Sequence, residues 1–165
     1  MKVIKEIFSY IIVIAVALLI RTFIITPVKV DGASMYPTLE HNQILILKKY
    51  DTTYERFNIV VINYNGEKLV KRIIGLPGEI IEYKNNKLYV DGKKINEPLE
   101  LETDDFSLNQ IGYTKIPKEY YLVLGDNRGN STDSRIIGLI KKDDILGTTN
   151  LRIWPFKKIG IIKNA

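Results

Sequence analysis

The segment NIVVINYNGEKLVKRII, residues 58–74, decides the fold class. Two runs rich in β-branched residues, 58–64 and 68–74, flank Asn65-Gly66. An Asn-Gly pair adopts the positive φ angles of a tight two-residue turn at little cost, so the segment reads as a β-hairpin. The pattern repeats downstream. EIIEYK (79–84), KLYV (87–90) and KKI (93–95) are separated by Asn85-Asn86 and Asp91-Gly92, which predicts a meander. QILILKK (43–49), YYLVLG (120–125) and ILGTTNLRIW (145–154) are further strand candidates. No helical periodicity is sustained beyond residue 26, so a mostly-β, antiparallel fold is expected. Residues 96–117 are acidic and weakly patterned. They suggest a loop or small cap, making about 81–117 an insertion in a core built from about 26–80 and 118–157.

Upstream lies IFSYIIVIAVALLIRTFII, residues 7–25, interrupted by one charge, Arg21. Nineteen helical residues would span about 28 Å, close to the ~30 Å hydrocarbon core of a bilayer. Arg21 near one end can extend its guanidinium to the headgroups. A cleaved secretory signal would have a shorter apolar core and a small-x-small cleavage site. The TPVKV that follows lacks one, so an uncleaved transmembrane anchor over 7–25 is expected. Lys2, Lys5 and Glu6 flank one side, Arg21 and Lys29 the other. This charge count gives only a weak preference for residues 1–6 in the cytoplasm.

Composition removes several function classes. A net charge of +5 over 165 residues is spread rather than gathered into a stripe, which argues against nucleic-acid binding. It is compatible with weak attraction to anionic lipid. The absence of cysteine excludes disulfides and thiolate sites, and a single histidine excludes a multi-histidine metal centre within the chain. No metal or other cofactor is expected.

Three stretches carry candidate chemistry. GASMYPTL (32–39) places Ser34 in a turn between a permissive Gly32 and a stiff Pro37. Most loop serines are structural, so Ser34 alone decides nothing. KRIIGLPGE (71–79) begins with Lys71 on the hairpin strand, on the face of Leu69 and Ile73 by alternation. A strand lysine ordinarily points at water; buried on an aliphatic face it would lose its charge more easily and could act as a general base. GDNRGNSTDSR (125–135) is a polar loop dense in Asp126, Arg128, Ser131, Asp133, Ser134 and Arg135. It fails the calcium-loop template, since Gly129 is misplaced and no glutamate closes it. A plain turn-rich connection remains the alternative. His41 reads as a surface residue in a turn, and Trp154 and Phe156 as either core or interfacial.

Taken together and in this order, behind an N-terminal anchor, the three motifs resemble those of the type I signal peptidases, the bacterial Ser-Lys leader peptidase family. The similarity extends from about residue 7 to 157 and is nearest the Gram-positive, single-anchor type. The resemblance implies a mostly antiparallel β domain, shared with the SOS-repressor autoproteases, lying outside the cytoplasmic membrane. It implies Ser34 as nucleophile, Lys71 as general base, and Ser131 hydrogen-bonded to Lys71. Asp126, Asp133 and Arg135 would brace the third motif, with Arg72 paired to one of the aspartates. The substrate would be the signal peptide of a secreted preprotein. Shallow pockets lined by Val28, Val30, Met35 and Val70 would accept small side chains at positions −1 and −3 before the cut.

Two departures matter. The family usually reads Arg-Gly-Asp where this chain has Arg56-Phe57-Asn58, which puts the local turn in question. Gly32 stands where Gram-negative members carry a hydroxyl for the oxyanion, leaving the Ser34 N–H and the Gly32 region to supply donors. A self-cleaving repressor relative would carry a helical DNA-binding domain where this chain has its apolar segment. An inactive, membrane-tethered peptide-binding domain would have no need of Ser34, Lys71 and Ser131 together. Oligomeric state is not legible.

Overall fold

The computed structural model describes residues 2–162, without the side chains of residues 2–5, 19, 20, 22 and 23. Helix α1 runs over Lys2–Phe23 and exposes apolar side chains such as Ile7, Phe8 and Val13. Among the described residues, no helix is long and apolar enough to cross a membrane. The helix also stops short of residue 25. Pro27 disfavours the helical conformation at Thr26, and the chain instead enters strand β1, Ile25–Lys29. Pro27 has no N–H to donate, which an edge strand tolerates, and β1 lies at the edge.

The remaining strands are β2 (Ile44–Lys48), β3 (Ile59–Tyr64), β4 (Glu67–Gly75), β5 (Ile81–Lys84), β6 (Lys87–Val90), β7 (Lys93–Ile95), β8 (Phe106–Ser107), β9 (Tyr120–Leu124), β10 (Ile140–Lys141), β11 (Ile145–Trp154) and β12 (Gly160–Ile161). A large sheet has the order β1-β2-β11-β3-β4-β9-β10, with β12 beside β11; β7-β6-β5-β8 form a small one. Every pairing is antiparallel. The hairpin turns follow from their residues: Asn65, Asn85, Asn86 and Asp91 all have positive φ, which Asn and Asp tolerate best among non-glycine residues.

Residues 81–107 build the small sheet, so the segment expected to be a loop or cap contributes β8 and a 3-10 turn over Leu108–Ile111. Its root is closed where Ile116 N–H donates to Glu79 O and Gly78 N–H to Ile116 O, at 2.9 and 2.7 Å. Tyr83, Leu88, Phe106 and Ile116 bury themselves against Ile74, Leu122 and Leu124 of the large sheet. On the opposite side of β4, Val60, Ile62, Ile73 and Val123 form a second cluster. Val28, Val30, Met35, Leu45 and Val61 form a third, which anchors the loop after β1. Trp154 and Phe156 take the non-core alternative: both are exposed and stack edge-on at 4.7 Å between ring centres.

The Arg56-Phe57-Asn58 turn forms despite its unusual sequence. Phe57 sits at φ 71°, a left-handed conformation costing a non-glycine residue roughly 1–2 kcal/mol. Backbone bonds hold it there: Phe57 N–H donates to Ile73 O and Ile73 N–H to Asn58 O, at 2.8 and 2.9 Å. The Arg72 guanidinium adds a bond to Phe57 O at 2.9 Å.

Candidate active site

Register places Lys71 opposite Val60 on β3, inside the aliphatic face that alternation predicts. The side chain is 2% exposed. β4 pairs with β9 only from Arg72 onward, so Lys71 meets the loop that follows β9 rather than another strand. Ser34 arrives from the other direction. Met35 and Leu39 bury themselves in the core and fix the loop between β1 and β2. Its ends are tied where Val30 N–H donates to Gln43 O and Asn42 N–H to Val30 O, at 2.8 and 2.9 Å. The result is a distance of 2.7 Å between Lys71 Nζ and Ser34 Oγ. Residues 37 positions apart in the chain are thus in hydrogen-bond contact.

Burial pushes the Lys71 ammonium down from the ordinary lysine value of 10.5 to about 8; Asp133 and Asp126 oppose it by favouring the charged form. The amine is therefore mostly uncharged above about pH 8, the form a base acting on a serine hydroxyl would need. The sign for stability is adverse. Unfolded chain binds the proton more tightly, so burial costs about 3 kcal/mol at pH below about 8, and the cost fades as pH rises towards 10.5.

The 125–135 loop braces this pair. Asp126 receives the Arg72 guanidinium through both oxygens, Nε at 2.8 Å and Nη2 at 2.7 Å, with both side chains almost wholly buried. Arg72 thus selects Asp126 among the aspartates considered. The Thr38 hydroxyl, four residues beyond Ser34, also donates to Asp126. Asp133 accepts from the Gly125 N–H at 3.0 Å and from Arg135 Nε and Nη2, both at 2.9 Å. Asn127 N–H holds the Ser34 carbonyl at 2.9 Å, and its amide side chain holds Ala33 O at 3.2 Å.

Two expectations need correction. Among the described residues Ser131 Oγ is buried with no hydrogen-bond partner, so the Ser131–Lys71 bond is not formed in this structure. Ser131 is instead packed against Gly125, where the backbone leaves no room for a side chain. The Gly32 N–H is not a free oxyanion donor either: it donates to His41 Nδ1 at 3.1 Å. His41 is half-exposed, as read from the sequence, and lies 3.3 Å from Asp31, but its bond to Gly32 was not foreseen. The four apolar residues Val28, Val30, Met35 and Val70 do come together, in one buried cluster. Sequence reasoning gave no role to Arg56, which pairs with Glu79 at 2.6 Å, and named Arg128 without foreseeing that its contacts cross to the small sheet. Both lie in or beside the quoted motifs, but their partners are set only by the fold.

A methyl group at Gly125 would overlap Ser131 Oγ and the Ser34 carbonyl oxygen. Gly125→Ala should therefore displace Ser34 and lower any turnover that depends on its contact with Lys71 by about 100-fold, with KM changing less than kcat. Steady-state kinetics would check this, and wild-type turnover in the variant would show that the close approach is not needed.

The family described as "Signal peptidase, peptidase S26" matches residues 3–154. Signal peptidase I of Bacillus amyloliquefaciens is 43% identical over 163 residues, covering 92% of this chain and 88% of that protein. Signal peptidase IB of Staphylococcus aureus is 41% identical over 177 residues, covering 93% of each. The crystal structure of a signal peptidase I from Enterococcus faecalis superposes with a TM-score of 0.54 at 35% identity, covering 58% of this chain and 96% of that one. With its antiparallel β architecture and the motif order intact, the chain belongs to the type I signal peptidases, serine hydrolases of peptidase family S26.

Proposed function

We propose that the chain is a membrane-anchored endopeptidase that removes N-terminal signal peptides from secreted preproteins with a Ser34–Lys71 dyad. The observation that carries this reading is the 2.7 Å contact between a hydroxyl and a buried amine whose proton is held loosely. Ser34 Oγ attacks the scissile carbonyl while neutral Lys71 takes its proton. Lys71 then returns that proton to the leaving amine, and a water activated by the same amine hydrolyses the acyl-enzyme. Ser34 N–H is the first oxyanion donor, each such donor being worth roughly 3–4 kcal/mol. Nucleophile and base both come from the chain, so the chemistry calls for no metal or cofactor.

An extended substrate has two sheet edges available for backbone pairing: the outer edge of β1, and residues 67–71 of β4, which β9 does not reach. Val28, Val30, Met35 and Val70 would floor the pockets between them. Each is at most 7% exposed, which leaves little apolar surface for a side chain to enter and fits a preference for Ala-like residues at −1 and −3. The apolar surface of α1 would sit in the bilayer with residues 1–6 cytoplasmic and the β domain outside. Trp154 and Phe156 would rest at the membrane interface. Anchoring keeps the site where translocated signal peptides end and raises their effective concentration.

The pH dependence is the direct test. In detergent, with a preprotein ending its signal in Ala-x-Ala, kcat/KM should fall tenfold per pH unit below about 8, because the reactive amine is titrated away. A profile flat from about pH 6 to 9 would remove Lys71 as the base. Leu in place of Ala at −1 should block cleavage.

A further inference from the structure

Within the sequence motif at 125–135, Arg128 turns away from both Ser34 and Lys71. Arg128 is 5% exposed and turns its guanidinium to the small sheet. Nη1 donates to Tyr83 OH at 3.0 Å and to Thr103 Oγ1 at 2.6 Å, while Nη2 donates to Glu97 Oε1 at 2.6 Å. The guanidinium carbon also lies 5.3 Å from the centre of the Tyr83 ring. Burial pushes the Tyr83 phenol well above its usual range, so it remains neutral and donates to Glu97 at 2.9 Å. Three hydrogen bonds thus tie the buried charge to the small-sheet segment. At its other end, Arg128 Nε donates to Gly125 O at 3.0 Å, and the Arg128 carbonyl accepts from Arg135 at 2.7 Å. Gly125 is the residue packed directly on Ser131 and on the Ser34 carbonyl.

We infer that Glu97, acting through Arg128, is a positioning residue for the reaction, and that the small sheet is a strut that holds the 125–131 loop against Ser34. The inference rests on the Ser34–Lys71 reading above. A buried guanidinium must keep its carboxylate partner, so losing Glu97 forces Arg128 to reorient and releases Gly125 O. Arg128 fixes the backbone whose neighbours, Asn127 and Gly125, touch the nucleophile loop. A displacement of a few tenths of an ångström there changes the Nζ–Oγ distance and admits water to Lys71. Glu97 lies in the acidic stretch that the sequence suggests is a plain loop or cap, and no dyad chemistry requires it.

The test compares Glu97→Ala and Glu97→Gln with Val90→Ala, which weakens the small sheet without touching Arg128. The full-length protein in detergent is assayed on the Ala-x-Ala preprotein, alongside thermal melts. Glu97→Ala should lower kcat by about tenfold or more with KM little changed. Its acid limb in kcat/KM should also move to higher pH, because a hydrated Lys71 regains its proton. Glu97→Gln keeps an acceptor for Arg128 and should recover part of the kcat. Val90→Ala should lose melting temperature while keeping the wild-type pH profile. If Glu97→Ala matches Val90→Ala in both kcat and pH profile, the strut is merely structural and the inference fails. Ser34→Ala serves as the separate control: cleavage surviving there would overturn the dyad itself, whatever Glu97 does. Should Glu97→Ala not fold, a wild-type pH profile and kcat in Glu97→Gln together with Thr103→Val would overturn the inference on its own.

Discussion

Ser34→Ala and Lys71→Met should each lower preprotein cleavage by roughly 10⁴–10⁶-fold, and the double variant should be no worse than either alone. In the proposed dyad the two groups act as a unit: without the hydroxyl the amine has nothing to deprotonate, and without the amine the hydroxyl keeps its proton. A second consequence separates Lys71 from an ordinary core residue. Its burial opposes the ammonium, at a cost of about 3 kcal/mol below pH 8. Methionine has a similar length and no charge to desolvate, so Lys71→Met should melt at a higher temperature than wild type near neutral pH. That advantage should shrink as pH rises from about 8 towards 10.5, where the wild-type penalty disappears. Ser34→Ala should show no such pH-dependent gain. A Lys71→Met protein that is inactive but less stable at pH 7 would mean the amine is not desolvated as described. Residual cleavage within tenfold of wild type in either variant would remove the dyad.

The largest loss of stability should come from Arg72→Met or Asp126→Ala. The pair is bidentate and both side chains are at most 2% exposed. Removing one partner leaves an uncompensated charge in the core, which costs about 3–5 kcal/mol. For a chain of this size that is roughly 10 °C in melting temperature. The exposed Lys84–Glu82 pair is a fitting contrast, since a surface ion pair contributes about 0–1 kcal/mol. Lys84→Ala should therefore leave the melt almost unchanged. Replacing both buried partners, as in Arg72→Met with Asp126→Leu, should recover much of the loss, because an apolar pair needs no solvation. Activity should not recover, since Asp126 also holds Thr38 on the nucleophile loop. Differential scanning calorimetry checks the order of the four melts; equal melts for Asp126→Ala and Lys84→Ala would show that the buried pair contributes nothing.

Much of the β architecture is legible locally, because tight turns depend on the conformational freedom of two or three residues. Asn65-Gly66, Asn85-Asn86 and Asp91-Gly92 each turn where their side chains allow positive φ. The strands on either side need only alternation or a buried aliphatic run. Two-residue strands escape such reading: β8, β10 and β12 are too short to show a pattern and exist because neighbours pair with them. β1 escaped for another reason, since its first residues continue the apolar run of the helix and only Pro27 marks the change. Phe57 likewise occupies a conformation its residue type disfavours, held by Ile73 and Arg72 from β4.

By itself the sequence determined which residue types could perform the chemistry: a serine in a stiff turn, a strand lysine between aliphatics, and a loop dense in charge. It also determined their order, which is the basis of the family assignment. Tertiary structure alone decided what those residues do to one another. Proximity of Ser34 and Lys71, the choice of Asp126 for Arg72, and the bond from Arg128 to Glu97 are all contacts between distant parts of the chain, and the capture of the Gly32 N–H by His41 depends on how one loop folds back on itself. Proton affinity belongs to the same level. A lysine side chain has one intrinsic value wherever it stands in a sequence, and only the removal of water around it, by strands paired in a particular register, lowers that value.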